Sequence, residues 1–222
     1  MRSSSLRVCA SLLFLLLSAS VFALSGQLTY TEGDVSIRSA GVAHPASIGD
    51  ALGAGDVIVT SAQSLAVIDL ANGTTLKLRE KTTLAIDSIG DQTSVNLTAG
   101  GVFTTIVGKL TGRFSVRTQS ALAGVRGTEF FIAYGRTIDA QPDVWLCVNS
   151  GIVDVSIPDT GQDVQVKAGL GINIVGGTKI TTPRRYPWTR HLNWNVNPGG
   201  GNVQYSTSLE AAYSDLLDQD YD

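Results

Sequence analysis

The sequence has few of the residues that build disulfides and metal sites. Its 222 residues include two cysteines and two histidines. Cys9 lies in an N-terminal segment that we expect to be removed, so Cys147 has no partner for an intramolecular disulfide. We predict that Cys147 is a small buried residue in a strand rather than a reactive thiol. His44 and His191 are far apart in the chain, so a histidine-rich metal site is not expected.

Strong charge and long apolar runs are also absent. Lys and Arg number 16 against 19 Asp and Glu, a formal net charge of -3 that offers no positive surface for nucleic acid. The apolar run from Val8 to Leu17 is about ten residues long, too short to cross a bilayer of roughly 30 Å as a helix. Arginines before it and a small-residue site after it are typical of a signal peptide, residues 1–23. We expect cleavage after Ala23, a periplasmic or secreted location, and no stable membrane span in the mature chain.

Signatures of catalysis are missing as well. The sequence has no Gly-x-Ser-x-Gly elbow and no Ser-x-x-Lys motif, so serine nucleophile chemistry has no local signature. Asp69, Asp87 and Asp154 stand at strand positions whose alternation faces solvent, and no spacing pairs two acids as a glycosidase requires. We therefore expect a protein that is not an enzyme and needs no cofactor. Hydrolysis is the weakest of the alternatives considered.

The interior of the chain predicts many short strands. Polar and apolar residues alternate with a period of two, which indicates strands with one buried and one solvated face. The segments that alternate in this way are Asp34–Arg38, Ser64–Leu70, Thr75–Arg79, Thr83–Asp87 and Ser94–Thr98. Asn72-Gly73 predicts a hairpin with a type I′ turn. Further strands are predicted at Gly101–Ile106, Arg113–Thr118, Thr128–Tyr134, Val144–Val148 and Gly151–Ile157. An open sheet of so many strands would expose long edges, so we expect an all-β fold with a sandwich-like or rolled architecture.

The most informative stretch lies between residues 112 and 134. Two strand segments, Phe114–Thr118 and Thr128–Tyr134, flank a turn-like Gly124-Val-Arg-Gly-Thr128. Other glycine-punctuated segments precede and follow it in a fixed order: Gly33-x-Val35, Gly49–Asp56, Ala66–Leu78, Val148–Val155 and Val166–Ile172. Together, from Gly33 to about Val175, these segments resemble the FecR domain, an extracytoplasmic β-rich module of protein signalling.

The resemblance implies a FecR-like β domain over residues 24–182, in which the motif residues serve structure or interaction. The motif residues are Arg113, Phe114, Val116, Thr118, Gly124, Gly127, Thr128, Glu129 and Phe130. For Gly127, Thr128 and Glu129, two interpretations stay open. Gly127 can be required by the backbone, with Thr128 and Glu129 fixing a turn through side-chain hydrogen bonds. Alternatively, Glu129 contacts a ligand.

The resemblance also suggests a role. In membrane-anchored members of the family, a cytoplasmic segment controls a sigma factor and a transmembrane helix precedes the periplasmic domain. Only a few residues precede the apolar run here, so we expect no sigma-factor regulation. We expect instead an exported module that binds an envelope protein, by edge-strand pairing or through its tail. The alternatives are a cell-wall or polysaccharide-binding module and sigma-factor regulatory signalling.

The C-terminal extension, residues 183–222, differs in composition from the strand region. Pro183–Asn195 holds two of the three tryptophans together with three arginines. Trp and Arg dominate interface hot spots, so Trp188, Arg190 and Trp194 form a candidate partner surface. The tryptophans could instead stack on a sugar ring or pack back over a sheet edge.

The last segment of the extension, Ser208–Asp218, predicts a short amphipathic helix. Its apolar face consists of Leu209, Ala212, Tyr213, Leu216 and Leu217. An isolated helix of this length is marginal in water, so we expect it to form only when docked on the domain or on a partner.

Overall fold

The computed structural model describes residues 26–106, 112–125, 127–137 and 142–186. All regular structure in these ranges is β, which confirms the predicted fold class. The strands are β1 Gly26–Glu32, β2 Val35–Ser39, β3 Val42–Pro45, β4 Ala51–Leu52, β5 Val57–Thr60, β6 Leu65–Leu70, β7 Thr74–Leu78, β8 Thr83–Ser88, β9 Gln92–Ile106, β10 Arg113–Arg117, β11 Leu122–Val125, β12 Glu129–Thr137, β13 Pro142–Ser150, β14 Ile152–Ile157, β15 Gln162–Lys167, β16 Gly171–Val175 and β17 Lys179–Ile180. Within the described ranges, no helix has the length and apolar character needed to cross a membrane.

The strands form two sheets that share β9. The first sheet has the order β4-β1-β6-β7-β9-β12-β13-β16-β17. The second has the order β3-β2-β5-β8-β9-β10-β11-β14-β15. All of these pairings are antiparallel except β9 with β10, which is parallel. The result is a sandwich, as the sequence predicted.

Strand β9 passes from the second sheet to the first at Gly100. The sequence predicted two strands here, Ser94–Thr98 and Gly101–Ile106, whereas the structure has one bent strand. Gly100 has a φ of 83°. The Thr82 hydroxyl accepts a hydrogen bond from the Gly101 N–H at 3.0 Å and donates to the Gly101 carbonyl at 3.1 Å. A Cβ at Gly100 would lie 2.3 Å from the Thr82 hydroxyl, so only glycine fits the bend.

Apolar side chains on the inner faces of both sheets make one continuous core. Phe114 and Val116 contribute from the second sheet, and Phe130 and Ile132 contribute from the first. Each of these side chains is at most 1% exposed. Period-two alternation therefore located the inner faces correctly. Asp69, Asp87 and Asp154 are exposed, as the same alternation predicted.

Two predicted turns differ from those found. The β6–β7 hairpin is present, but its loop has three residues, because Leu70 pairs with Thr74 and the Gly73 N–H donates to the Leu70 carbonyl at 3.0 Å. Only Gly73 has a positive φ, so the type I′ prediction is wrong and the loop is of the glycine-bulge kind. The predicted turn at Gly124–Thr128 is also wrong in its first half, since Gly124 and Val125 belong to β11.

The outer face of the first sheet departs from the alternation rule. The sequence predicted that Lys77 on β7 and Arg79, the residue after β7, face solvent, but they are 0% and 1% exposed. Phe131 on β12 and Trp145 on β13 are equally buried on this face. Both faces of this sheet are therefore buried along its central strands, whereas the outer face of the second sheet is accessible.

Candidate functional site

The accessible outer face of the second sheet carries a row of small polar residues. Strand pairing places them side by side across β8, β9, β10, β11, β14 and β15 in the order Ser88, Ser94, Ser115, Gly124, Asp154 and Gln165. We call this set the serine row. Its first four members are partly buried and its last two are exposed. Because serine has a short side chain and glycine has none, the part of the row from Ser88 to Gly124 rises little above the backbone and forms the floor of this face.

Two adjoining hollows open on this face. The smaller, of about 490 Å³, is lined by Ser94, Ser115, Gly124 and Asp154 among others. The larger, of about 740 Å³, includes the loop at 118–121. Leu122 lines both hollows, so they are neighbours. We refer to the two hollows together as the polar groove.

Charged side chains stand beside the serine row. Arg113 and Arg117 flank Ser115 on β10 and are exposed. An Arg117 Nη2 lies 3.0 Å from an Asp87 carboxylate oxygen on β8. The Gln165 amide donates to the Asp154 carboxylate at 2.8 Å. The groove therefore offers hydroxyl, guanidinium and carboxylate groups to a ligand, beside a comparable amount of apolar surface.

Gly124 has no structural need to be a glycine. A Cβ added there would lie 3.9 Å from its nearest neighbour, the Asp154 carbonyl, which is an ordinary contact distance. Its φ does not fall in the left-handed region that favours glycine. A side chain at this position would instead project from the floor of the polar groove. The absence of a side chain therefore keeps the groove open.

The structure does not gather the predicted motif residues into one site. Phe114, Val116 and Phe130 are core residues. Arg113 and Gly124 line the smaller hollow of the groove. Thr118 lines the larger hollow, where its hydroxyl accepts a hydrogen bond from the Ala121 N–H at 3.1 Å and so fixes the loop that follows β10.

Gly127, Thr128 and Glu129 lie elsewhere, where β12 enters the first sheet. Gly127 has a φ of 58°, which agrees with a backbone requirement for glycine. Glu129 accepts a hydrogen bond from the Asn149 side chain on β13. The Thr128 hydroxyl, by contrast, is buried without a hydrogen-bond partner among the described residues, so it does not fix the turn as proposed. Its methyl group packs instead against the turn at Gly151.

Sequence reasoning missed most of the groove. Ser88 and Ser94 stand out in no motif, Ser115 lies within the Arg113–Thr118 segment but is not one of the predicted motif residues, and alternation predicts Asp87 and Asp154 only as separate surface acids. They become neighbours only through strand register, which local patterns do not reveal. The parallel pairing of β9 with β10 joins residues that are well separated in the chain, such as Ser94 and Ser115, so no local pattern indicates it.

The candidate partner surface at Trp188, Arg190 and Trp194 lies outside the described residues, as does the predicted helix at 208–218. The part of the extension that is described packs on the first sheet. Arg184 exchanges two backbone hydrogen bonds with Gly171, at 2.7 and 3.0 Å. The Tyr186 ring, 2% exposed, meets the Trp145 ring edge-on with centroids 6.1 Å apart. Backbone pairing with β16 thus extends to Arg184.

Metal-ligating and thiol side chains were compared with the geometry that a metal site or a reactive cysteine needs. No group of three His, Cys, Asp or Glu side chains in these ranges is arranged to hold a metal ion. Cys147 is 1% exposed on β13, which confirms the prediction of a buried small residue. Burial raises the pKa of the Cys147 thiol, so it stays protonated and unreactive at neutral pH.

Comparison with known proteins identifies the domain. The model of the FecR protein family matches residues 56–154. Two crystal structures of a candidate anti-sigma factor from Parabacteroides distasonis share the fold. One, at 1.65 Å resolution, is 19% identical with a TM-score of 0.52, over 72% of each chain. The other, at 2.50 Å resolution, is also 19% identical, with a TM-score of 0.50 over 58% of this chain and 59% of that one.

The match to the second structure thus spans less than two thirds of its length. A search of curated proteins found no match. The family match agrees with the resemblance that the sequence motifs predicted, and it includes β8 to β11, the strands that carry most of the polar groove. Residues 56–154 of this chain are therefore a FecR domain.

Proposed function

We propose that this chain is a protein-binding module of the cell envelope that acts without catalysis and binds its partner through the polar groove. The observation that carries the proposal is Gly124. Neither its φ nor its packing requires glycine, yet its lack of a side chain leaves the floor of the groove open. A residue whose identity the fold does not explain is a candidate for function.

The shape of the groove suits an extended polar segment of a partner. The serine row crosses six strands, so at about 4.8 Å per strand its length is about 24 Å. An extended peptide rises about 3.3 Å per residue, so the row accommodates about seven residues. The hydroxyl, guanidinium and carboxylate groups along it can hydrogen-bond to the backbone and polar side chains of such a segment.

Edge-strand pairing, our other predicted mode of binding, has less support at β3. This edge strand is short and ends at Pro45. The Ala46 N–H donates inward to the Val35 carbonyl, so by alternation Pro45 occupies a position that points to the free edge. Proline has no N–H to donate there, which is a common way to blunt an edge.

The comparisons and the N-terminal sequence support the rest of the proposal. Both similar structures are described as candidate anti-sigma factors, proteins that act by binding another protein. The signal-peptide pattern that ends at Ala23 supports export. Binding to a protein outside the cytoplasm is the function that accommodates both observations.

A capture experiment tests the proposal. The 222-residue chain, its Gly124→Tyr variant and its Gly53→Tyr variant are immobilised and exposed to an envelope extract. Gly53 is a matched control, because a Cβ there also has its nearest contact at 3.9 Å and Gly53 lines neither hollow of the groove. We expect the wild type and Gly53→Tyr to retain the same envelope protein. We expect Gly124→Tyr to lose it by about tenfold or more, since blocking the centre of an interface costs at least about 1.4 kcal/mol.

Three outcomes would contradict the proposal. Equal capture by all three proteins would show that the groove is not the binding surface. Retention of glycan fragments in place of protein would favour the polysaccharide-binding alternative. Specific retention of a sigma factor from a cytoplasmic extract would favour regulatory signalling inside the cell.

A further inference from the structure

The described strands of the two sheets end in four edge strands, and three of these are poorly suited to pairing with another chain. Strands β4 and β17 have two residues each, and β3 ends at Pro45. Short edges and edge prolines are common ways in which β proteins avoid edge-to-edge pairing. The fourth edge strand, β15, has six residues, no proline and an unbroken register with β14. Among the described edges, β15 is therefore the one suited to strand addition.

The backbone of β15 points alternately toward β14 and toward the free edge of the sheet. Ala168, the residue after β15, donates its N–H to the Gly151 carbonyl at 3.1 Å, and these two residues continue the register of the strand pair. In an antiparallel pair, every second residue bonds to the partner strand. Asp163, Gln165 and Lys167 therefore direct their N–H and C=O groups away from β14.

The sequence of β15 is complementary to itself when one copy is reversed. In Asp163-Val-Gln-Val-Lys167, Gln165 lies at the centre with a valine on each side and opposite charges at the two ends. An antiparallel pairing of two such strands, centred on Gln165, places Asp163 of each copy opposite Lys167 of the other. Opposite charges in cross-strand pairs stabilise a sheet, and like charges destabilise it. A pairing centred on Asp163 or on Lys167 would place like charges opposite each other, so the charges select the register.

We propose that two copies of this chain form a symmetric dimer by antiparallel pairing of their β15 strands, centred on Gln165. A two-fold dimer requires a surface that is complementary to itself, and β15 provides one. The outward backbone groups of Asp163, Gln165 and Lys167 supply about six hydrogen bonds across the interface. The Lys167 carbonyl already accepts the Leu170 N–H at 3.0 Å, and its second lone pair serves the dimer.

The inner face of β15 supplies the apolar part of this interface. Val166 is buried, whereas Val164 packs against the core but is only partly buried. In the proposed register, Val164 of each copy stands opposite Val166 of the other, at a position without hydrogen bonds between the two strands. Side chains approach most closely at such positions. Pairing therefore covers the accessible part of Val164 and extends the core from one copy to the other.

The dimer also brings the two polar grooves together. Gln165 is the last member of the serine row, and in the dimer it stands opposite Gln165 of the other copy. The two serine rows then meet end to end across six strands of each copy, a line of about 53 Å at about 4.8 Å per strand. A partner that engages both rows gains affinity by multivalency. This gain in affinity rests on the proposed function, whereas the dimer itself does not.

Sedimentation velocity of the 222-residue chain and two charge-reversed variants tests the dimer without any partner. Asp163→Lys and Lys167→Asp each place like charges opposite each other at both ends of the interface. Alone, each variant should raise the dissociation constant of the dimer by about tenfold or more. An equimolar mixture of the two should regain the wild-type constant, because one copy then carries two lysines where the other carries two aspartates. Both side chains are exposed, so the substitutions should leave the fold intact.

Arg38→Asp is the control for net charge. Arg38 is exposed on β2, and its substitution changes the net charge by as much as Lys167→Asp does. The control should dimerise like the wild type. Equal weakening by Arg38→Asp and Lys167→Asp would contradict the proposal, because overall charge would then govern association.

Three further outcomes would overturn the proposal. One is a wild-type chain that stays monomeric at its highest soluble concentration. Another is a dimer that neither charge reversal weakens, which would place the interface on a different surface. The third is weakening in both variants without recovery in their mixture, because pairing of Asp163 with Lys167 requires that recovery. The capture experiment with Gly124→Tyr is independent of these measurements, so the dimer and the proposed function can fail separately.

Discussion

Two lines of six residues lie on opposite outer faces of one sandwich. One is the serine row on the second sheet. The other, on the first sheet, we call the closed strip, and strand pairing aligns its members as Val67, Lys77, Phe103, Phe131, Cys147 and Gly171.

In the closed strip, Phe103 and Phe131 are fully buried at the centre. In the serine row, Ser115 and Gly124 occupy the equivalent central strands and remain partly accessible. Both rows follow the same period-two alternation of their strands. The two rows differ in side-chain size and in burial. The large side chains of the closed strip are buried and add to the packed interior, whereas the short residues of the serine row stay accessible to a binding partner.

The largest difference between the two rows should be in their contribution to stability. Phe131→Ala removes a fully buried ring from the closed strip and should lower the free energy of unfolding by about 3–4 kcal/mol. Ser115→Ala, in the middle of the serine row, should change it by less than about 0.5 kcal/mol. Urea denaturation of both variants beside the wild type measures the contrast. Similar losses in the two variants would mean that the two faces are not energetically distinct.

The two faces are joined at the bend of β9, which gives a second test. Gly100→Ala forces a φ of 83° on alanine and places its Cβ against Thr82, so we expect a loss of about 2–3 kcal/mol. Gly161→Ala is the control, since its φ is 69° but no atom lies within 4 Å of the added Cβ. The control should cost about 1 kcal/mol, the backbone effect alone. Equal losses would show that Thr82 does not hold the bend.

Each row also contains a glycine, and these two glycines should respond differently to the same change. A Cβ on Gly171 would lie 2.9 Å from the Leu146 carbonyl, so Gly171→Ala should cost about 1–2 kcal/mol through overpacking. Gly124→Ala meets no close contact and should be neutral or stabilising by up to about 1 kcal/mol. Thermal unfolding followed by circular dichroism measures both. Marked destabilisation by Gly124→Ala would remove the argument that this glycine serves binding rather than folding.

The smallest effect should come from the ion pair beside the serine row. The Arg117 side chain is 54% exposed and Asp87 29% exposed, so water and salt screen their attraction. Arg117→Ala should therefore lower stability by no more than about 0.5 kcal/mol. A double-mutant cycle with Asp87→Ala, measured at low and high salt, isolates the pair. A coupling above about 1 kcal/mol would show that this face is less solvated than its exposure indicates.

Local sequence patterns correctly predicted the side chains that face the interior of the sandwich. Alternation identified the core side chains of β6, β8, β10 and β14, and the glycine-punctuated order identified the family. The patterns failed where a tertiary contact decides the outcome. Lys77 and Arg79 alternate with leucines like surface residues, yet both are buried. Gly124 was interpreted as part of a turn because glycine usually marks one, although here it lies within β11.

The groove could not be predicted for a different reason. Its serines come from three strands and its acids from two, and none of them belongs to a recognisable spacing. Only strand register brings Ser94, Ser115 and Asp154 to one surface. Register in a sandwich with a parallel pair is set by long-range packing, which no short window of sequence contains.

Hydroxyl-radical footprinting of the 222-residue chain tests the contrast between the two faces most directly. Aromatic rings are intrinsically more reactive toward hydroxyl radicals than aliphatic side chains. We nevertheless predict that Phe131 and Trp145, on the first sheet, are oxidised more slowly than Ile152, which is 44% exposed on the second sheet. Unfolding in urea should reverse the order. Rapid oxidation of Phe131 and Trp145 in the folded protein would contradict the account, because the outer face of the first sheet would then be as open as the groove.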